Sequence, residues 1–344
     1  MGGSRVMKVE PDERRRAVAA IIGAPKEPVQ RVAVGFAPAN IALCKYWGKR
    51  DSVLNLPVTS SLSLSLGSKG TSTQLSLRRG RDAVWLNGRL MKGDDPFVER
   101  LSSFLNLFRP ASGLGFDVRT CNTIPTAAGL ASSASGFAAL VLALNELFAW
   151  RLDRRALSIL ARLGSGSACR SVCSGFVEWR AGCSRDGSDS YAQPLEVSWP
   201  DLRWGILYLN TEKKAWSSRR AMEHTQITSP FYGEWPRTVQ GDLAAVKQAI
   251  VERDFERFGQ TSESNALALH ALAIAARPSI LYWQPATLSL LHRIQALRRQ
   301  GLSVYATMDA GPNVKVLFLE SSIGEVQKHF PDVEIIAPFA PSVA

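Results

Sequence analysis

The sequence predicts an α+β protein made of two halves, and three features of the residue pattern support this prediction. Residues 31–90 alternate between short runs with apolar residues at every second position and turn signals. Apolar segments with helical spacing follow, and after about Trp199 strand and helix patterns start again. We find no internal repeat between the halves. The expected division is an extension over 1–30, a first domain over 31–199 and a second over 200–344.

The first half opens with strands and continues with helices. Alternation predicts strands in VAVGFAPANIALCKYWGK and SSLSLSLGS, and two strands around a basic turn in TSTQLSLRRGRDAVWLNGR. Helical spacing predicts a helix over Phe97–Pro110 that stops at the proline. A strand in GFDVRTCNTIP then leads to a largely buried helix in GFAALVLALNELFAW, a second helix in ALSILARLGSGSACR and a strand in SGFVEWRAG.

The second half repeats this alternation with longer helices. LRWGILYLNT is a predicted strand, and WSSRRAMEHTQ contains a predicted helix start. Helical spacing continues through GDLAAVKQAIVERDFERFGQTSESNALALHALAI and returns in PATLSLLHRIQALRRQ. SVYATMDAGPNVKVLFLE has two strand patterns around a glycine–proline loop, which predicts a hairpin.

Composition restricts the class of protein. The 344 residues are 46% hydrophobic and 21% charged, which is typical of a soluble globular protein. No run reaches the roughly 18 apolar residues of a membrane span, and the N-terminal segment lacks the apolar core of a secretory signal. We expect residues 1–30 to be a mobile extension with a short helix at Glu13–Ile22. The five cysteines, an odd number without paired C-x-x-C motifs, indicate reduced thiols in a cytosol rather than disulfides or a zinc site.

Net charge leaves two classes of partner open. Lys and Arg exceed Asp and Glu by 41 to 30, a formal charge of +11, which suits either a nucleic acid or a small polyanionic substrate. The basic residues are dispersed apart from Arg14–Arg16 and Arg78–Arg81, and no aromatic residues interleave with them. Since no recognition motif is present, we expect no nucleic-acid partner.

The segment Thr123–Leu140, TIPTAAGLASSASGFAAL, collects small residues and hydroxyls where a helix begins. Small side chains let the backbone approach an anion, the first helical N–H groups are free to donate, and the helix dipole adds positive charge. These properties describe a phosphate-binding loop, although the P-loop pattern is absent. A tight packing seam between helix and sheet explains the same residues equally well.

Four further clusters carry polar groups suited to anion chemistry. GSGSACRS offers two serines and an arginine, the side chain that binds carboxylate or phosphate bidentately; alternatively it is a glycine-rich turn. In APANIALCKYWGKRD, Lys45 alternates with apolar neighbours, so it points inward toward an anionic partner unless the segment is an exposed hairpin. Asp309 precedes Ala-Gly-Pro-Asn, either as a turn cap or as a presented carboxylate. KKAWSSRRAM places Ser217, Ser218 and Arg219 at a helix start, either as an ordinary serine cap or as anion ligands. Together the clusters suit phosphoryl transfer between two small molecules.

Six segments together resemble the diphosphomevalonate decarboxylases, members of the superfamily of galactokinase, homoserine kinase, mevalonate kinase and phosphomevalonate kinase. The likeness spans about residues 31–320. The matching blocks, in the family's order, are APANIALCKYWGKRD, NTIPTAAGLASSASGFAAL, GSGSACRSVCSGFVEW, SSRRAM, SESNALALHA and MDAGPN. The resemblance implies the two-domain small-molecule kinase fold, with the active site in the cleft between the domains. It further implies ATP- and Mg²⁺-dependent decarboxylation of mevalonate 5-diphosphate to isopentenyl diphosphate, ADP, phosphate and carbon dioxide.

The resemblance also implies roles for residues within the matching blocks. Asp309 faces the substrate's C3 hydroxyl, as base or as orienting charge, and Lys45 lies beside it. Arg170 holds the substrate carboxylate, with Asn40 nearby. The residues expected around the substrate, including its diphosphate arm, are Tyr46, Lys49, Ser165, Ser167, Arg170, Ser218, Arg219 and Met222. Those expected around ATP are Pro125, Ala128, Gly129, Leu130, Ser132, Ser133 and Ser135, with Ser133 also near the magnesium ion.

One alternative activity and several further expectations complete the prediction. A small-molecule kinase of the same fold would stop at the phosphorylated product, but Lys45, Arg170, Asp309 and the Ser218–Arg219 pair together favour the decarboxylase. The family is commonly homodimeric, so we expect a cytoplasmic homodimer. The N-terminal extension falls outside the family's blocks.

Overall fold

A computed structural model describes residues 12–24, 26–111, 113–124, 132–209 and 215–340. Helices and strands alternate through both halves of this part of the chain, so the predicted α+β class is confirmed. None of the helices in the described ranges has the length and apolar character required to cross a membrane.

The strands and helices follow the predicted order closely. The strands are β1 (Ala33–Cys44), β2 (Lys49–Asp51), β3 (Leu56–Pro57), β4 (Ser61–Arg79), β5 (Ala83–Leu86), β6 (Arg89–Leu90), β7 (Leu114–Asn122), β8 (Phe176–Trp179), β9 (Ala192–Pro194), β10 (Leu202–Leu207), β11 (Tyr305–Thr307), β12 (Val314–Leu319) and β13 (Glu334–Ile336). The helices are α1 (Asp12–Ile22), α2 (Pro96–Leu105), α3 (Ser132–Leu147), α4 (Arg154–Gly164), α5 (Ser218–Thr228), α6 (Trp235–Glu252), α7 (Phe255–Ala275), α8 (Pro285–Arg299) and α9 (Ile323–His329).

Two main sheets divide the described chain between residues 194 and 202. The larger has the order β6-β5-β7-β4-β8-β9, with β1 paired antiparallel to the long strand β4. The smaller has the order β11-β12-β10-β13, and β2 with β3 forms a separate hairpin. The antiparallel pairing of β11 with β12 confirms the hairpin predicted around Asp309.

Helix α3 lies directly against β1 and β4 in the first half. Its apolar residues form a core with α2, α4 and the sheet, including the fully buried Phe116, Val118 and Leu144. Helix α3 and strand β1 approach each other closely at Gly35, where a Cβ atom would clash with the Ala139 carbonyl oxygen. A glycine is therefore required at this crossing.

A second core joins the two halves of the described chain. Ile41 and Leu43 of β1 share one buried cluster with Trp204 and Ile206 of β10 and with Phe258 of α7. This packing aligns the end of β1 with the β11–β12 loop, so side chains from both halves meet in one site.

Two segments differ from the sequence-based expectation. The long helical stretch is divided into α6 and α7 at Arg253, whose φ of 56° is left-handed and ends α6. The predicted extension does contain the expected helix, since α1 covers Asp12–Ile22, but the described residues are not a loose tail. Val18 is buried in the core, and the Arg14 guanidinium donates to the Leu163 carbonyl at 2.8 Å. The expectation of mobility is therefore wrong for α1, because an apolar face and an arginine anchor it to α4.

Candidate active site

Asp309 lies in the β11–β12 loop between two lysine ammonium groups. Lys45, just after β1, places its Nζ 3.1 Å from Asp309 Oδ1, and Lys315 on β12 places its Nζ 3.2 Å from Oδ2. Both lysines are almost fully buried, whereas a quarter of the Asp309 side chain is exposed. The carboxylate is thus partly accessible to solvent, while the two ammonium groups are enclosed by the protein.

This arrangement fixes the ionisation state of Asp309. Burial by itself would raise the pKa of the carboxyl, but the charges and hydrogen bonds of Lys45 and Lys315 outweigh it and hold the pKa well below its ordinary value. Burial lowers the pKa of Lys45, and Asp309 counteracts that effect. Asp309 is consequently an anion at any neutral pH.

Lys45 is held in position by contacts with the second half. Its backbone N–H donates to Asn265 Oδ1 on α7 at 2.8 Å, and Asn265 in turn donates to Asp242 on α6 at 2.7 Å. The Lys45 ammonium also donates to the Ala42 carbonyl at 2.7 Å. The inward orientation predicted from the alternating pattern agrees with this burial.

Arg170 lies in a 3₁₀ turn over Gly166–Val172, where the sequence suggested a continuing helix. It is buried, donates to the Ser61 hydroxyl, and places Nε and Nη2 at 3.4 and 3.3 Å from Asn40 Oδ1. Asn40 donates to the Ser171 hydroxyl at 2.6 Å, which fixes its amide orientation. Burial lowers the pKa of Arg170, and Asp309 opposes this shift through its charge, so both belong to one electrostatic site.

Two residues expected around the diphosphate arm, Tyr46 and Lys49, follow β1 closely in the chain and are half-buried. Tyr46 packs edge-on against Trp179 with ring centroids 4.7 Å apart, and its buried hydroxyl has no hydrogen-bond partner in the described chain. The Lys49 ammonium donates to Asn55 Oδ1 at 2.7 Å. Burial and the nearby Arg219 lower the pKa of Lys49 to about 8. These groups form an electropositive wall.

The remaining members of this set differ in exposure. Ser165 and Met222 are buried, Ser167 is half-buried, and Ser218 and Arg219 are exposed on the first turn of α5. Ser217, directly before them, caps α5, since its hydroxyl accepts from the Arg220 N–H at 3.4 Å. Because Ser217 supplies the cap, the side chains of Ser218 and Arg219 remain exposed and accessible to a ligand.

The predicted phosphate loop is described only in part. Pro125, Ala128, Gly129 and Leu130 lie outside the described residues, as does the side chain of Ser132. Ser133, in the first turn of α3, is exposed, so its hydroxyl is accessible to a ligand. Ser135 is fully buried, and its hydroxyl shares a hydrogen bond of 2.7 Å with Thr71. We therefore correct the expected nucleotide contact of Ser135, because this side chain faces the sheet.

The described residues contain no group of three or more His, Cys, Asp or Glu side chains that could hold a metal ion. Mg²⁺ is commonly bound through substrate phosphates, waters and one or two protein oxygens. The exposed hydroxyl of Ser133 at the start of α3 could supply one such protein oxygen to an ion bound mainly through phosphates.

Sequence reasoning missed two residues beside Asp309. Lys315 alternates with valines in β12, which is the same signal that pointed to Lys45. His270 on α7 has its Nε2 3.2 Å from the Asp309 carbonyl oxygen. Burial and the Lys45 charge lower the pKa of His270 to about 3, so its ring is neutral and donates to that carbonyl. His270 lies in the SESNALALHA block, but a single histidine in a long helix carries no local signal of this contact.

Comparison with known proteins shows the family. Residues 37–192 match the family model described as "Diphosphomevalonate decarboxylase-like N-terminal domain", and 205–337 match "Mevalonate 5-diphosphate decarboxylase C-terminal domain". The chain is 37% identical over 319 residues to the diphosphomevalonate decarboxylase of Candida albicans, covering 86% of this chain and 88% of that protein. It is 38% identical over 326 residues to that of Danio rerio, covering 87% and 80%.

Solved structures agree with these relatives. The crystal structure of mevalonate diphosphate decarboxylase from Staphylococcus aureus is 36% identical, with a TM-score of 0.83 over 89% of this chain and 95% of that one. The structure described as "MDDEF in complex with MVAPP, AMPPCP and Magnesium" is 38% identical, with a TM-score of 0.81 over 88% and 95%. Sequence blocks, fold and site agree, and the chain belongs to the diphosphomevalonate decarboxylase family.

Proposed function

We propose that this protein catalyses the ATP-dependent decarboxylation of mevalonate 5-diphosphate to isopentenyl diphosphate, ADP, phosphate and carbon dioxide. The main observation in favour of this proposal is that the Asp309 carboxylate lies between Lys45 and Lys315 and interacts electrostatically with Arg170. Family membership supports the same activity, and a relative of known structure was solved with MVAPP, AMPPCP and magnesium.

The first step transfers the γ-phosphoryl group of ATP to the C3 hydroxyl of the substrate. The hydroxyl oxygen forms the new P–O bond, the bond to the β-phosphate oxygen breaks, and ADP leaves. A carboxylate with a lowered pKa is a weak base toward an alcohol, so Asp309 orients the hydroxyl and accepts its proton late, as the loose transition state forms. To Lys45, whose ammonium lies 3.1 Å from Asp309, we assign the balancing of charge on the transferred group.

The second step converts the phosphorylated intermediate to the alkene. The C3–O bond breaks and phosphate departs with the bonding electrons, which leaves C3 electron-deficient. The bond between the carboxylate carbon and C2 then supplies its electron pair to the new C2–C3 double bond, and carbon dioxide is released. Arg170 positions the carboxylate with donors that Ser61 and Asn40 hold in place, and the Asp309 anion stabilises positive charge near C3.

We assign the phosphates of ATP, and the magnesium ion that they carry, to the segment 125–133, with Ser133 as the described residue that supplies a hydroxyl. Magnesium, when bound, neutralises phosphate charge during transfer. Lys49, Ser218 and Arg219 are assigned to the diphosphate arm, since they form the electropositive wall beside Tyr46.

The experiment that tests this function is incubation with ATP, Mg²⁺ and mevalonate 5-diphosphate while carbon dioxide and free phosphate are measured. We expect both in amounts equal to the ADP formed. ADP without carbon dioxide would identify a kinase of the same fold and overturn the proposal. Asp309→Ala is expected to lose orders of magnitude in kcat with substrate binding kept.

We further propose that the enzyme is a cytoplasmic homodimer. None of the five cysteines, all of which lie in the described ranges, forms a disulfide, which agrees with a reducing compartment. Sedimentation equilibrium tests the dimer, and a single species of one chain mass would overturn it.

A further inference from the structure

A cavity of about 160 Å³ lies where α1, α2, the end of α4 and the start of α5 meet. Arg14, Arg100 and Arg219 line this cavity together with Asn55. Lys49 belongs to the same group, because its ammonium donates to Asn55 Oδ1 at 2.7 Å. Four separate elements therefore bring four cations to one place, which we name the cation pocket (Arg14, Lys49, Arg100 and Arg219).

Arg14 and Arg100 are held in place by hydrogen bonds to backbone carbonyl groups. Arg14 Nη2 donates to the Leu163 carbonyl at 2.8 Å, and Arg100 Nη2 donates to the Gly164 carbonyl at 2.9 Å, both at the last turn of α4. The Arg100 guanidinium also lies 4.8 Å from the centre of the Phe137 ring. The Nε atoms of both arginines are buried and have no hydrogen-bond partner in the described chain. Both guanidinium groups are thus preorganised and retain unused donors.

The three arginines of the cation pocket have no ion-pair partner in the part of the chain that the structure describes, whereas the charges of Glu223 and Asp51 partly offset that of Lys49. None of the carboxylates in the described ranges forms an ion pair with Arg14, Arg100 or Arg219. Burial and the neighbouring arginines lower the pKa of Arg100 to about 10, and burial and Arg219 lower that of Arg14. Buried like charges destabilise a fold unless an anion accompanies them. This physical cost indicates a site kept for an anionic ligand.

We infer that Arg14 of the N-terminal helix extends the diphosphate subsite through the cation pocket and binds the diphosphate group of the substrate. The inference rests on the proposed function, because Lys49 and Arg219 are the residues assigned to the diphosphate arm. A diphosphate carries more negative charge than one lysine and one arginine neutralise. Arg14 and Arg100 supply the remaining charge, and α1, which lies outside the family's sequence blocks, becomes part of the substrate site.

Steady-state kinetics of Arg14→Gln and Arg100→Gln test the inference. The KM for mevalonate 5-diphosphate is expected to rise about tenfold in each variant, while kcat and the KM for ATP stay within about twofold. Arg15→Gln is the matched control, because Arg15 is an exposed arginine on the same helix. Unchanged KM in both variants, or a rise in the KM for ATP alone, would overturn the assignment.

A binding measurement separates this inference from the proposed function and from effects on folding. We expect inorganic diphosphate to raise the melting temperature of the wild-type protein and of Arg15→Gln, and to bind Arg14→Gln and Arg100→Gln about tenfold more weakly by calorimetry. Because each variant is compared with itself with and without diphosphate, a lower starting stability does not mimic the result. Equal affinities in wild type and variants refute the cation pocket. Intact diphosphate binding without carbon dioxide release refutes the proposed function alone.

Discussion

Asp309→Asn tests the central charge arrangement through both stability and activity. The substitution removes the negative charge that lies 3.1 Å from the Lys45 ammonium and 3.2 Å from the Lys315 ammonium, and these two side chains are only 2% and 1% exposed. Removing one partner of a buried ion pair costs about 3–5 kcal/mol. Because Asp309 is one-quarter exposed and Asn retains an acceptor oxygen, we expect a loss of about 2–4 kcal/mol in the free energy of unfolding.

The double variant Asp309→Asn/Lys315→Met separates the structural role of the carboxylate from its chemical role. Methionine keeps much of the buried aliphatic stem and removes one of the two ammonium groups that had faced the carboxylate, so roughly half of the lost stability should return. Carbon dioxide release should remain at least about 100-fold below wild type in both variants, because the group that orients the C3 hydroxyl is still absent. Urea unfolding and the carbon dioxide assay give the two numbers. Wild-type stability of Asp309→Asn, or recovered turnover in the double variant, would refute this reasoning.

The pH dependence of the stability difference provides a further check on the same residue. The pKa of Asp309 is depressed in the folded protein, so its contribution is fully present above the ordinary carboxyl pKa of about 3.9 and is lost as the pH falls from there toward the folded-state value. The difference in unfolding free energy between wild type and Asp309→Asn should be constant between about pH 5 and 7 and shrink below about pH 4. A difference that grows in acid would contradict the assigned charge state.

Further predictions concern the neighbouring groups. Arg170→Gln should raise the KM for mevalonate 5-diphosphate and lower kcat, and unchanged kinetics would exclude its contact with the carboxylate. Since the pKa of Lys49 is about 8, kcat/KM should fall above that pH as the ammonium loses its proton, and Lys49→Arg should abolish this limb of the profile. Ser133→Ala should raise the KM for ATP. Ser135→Ala should leave that KM unchanged and lower the free energy of unfolding by about 1 kcal/mol, because it removes the hydrogen bond with Thr71. The reverse pattern would show that Ser135, and not Ser133, contacts the nucleotide.

Residue periodicity predicted much of the fold because the local pattern decides element type. The alternating apolar residues of β1 and β12 and the proline after α2 placed these elements within a few residues of their observed bounds. The division between α6 and α7 was missed, because helical spacing continues through Arg253 and only its left-handed φ of 56° marks the break. The prediction that α1 is mobile was also wrong, because it took no account of tertiary contacts. Its docking depends on Val18 and Arg14 meeting α4, which the sequence of α1 alone does not indicate.

In the candidate site, too, the local sequence does not determine what a single side chain contacts. Ser133 and Ser135 have similar sequence surroundings, yet the turn of α3 exposes one and buries the other against Thr71. Lys45 and Lys315 share one alternating pattern, but only the packing of β1 beside the β11–β12 loop brings both to the same carboxylate.

By itself, the sequence determined the order of strands and helices, the family and the set of polar groups available for chemistry, since these depend on local pattern and residue type. Tertiary structure alone decided which cations face Asp309, which serine reaches solvent, and that α1 places an arginine in one cavity with residues of α2 and α5. Lys45 and Asp309 are 264 residues apart in the chain, and their contact comes from the buried packing of two sheets rather than from any local preference. Burial and neighbouring charges also shift the pKa values of Lys45 and Asp309, which would have ordinary values in water.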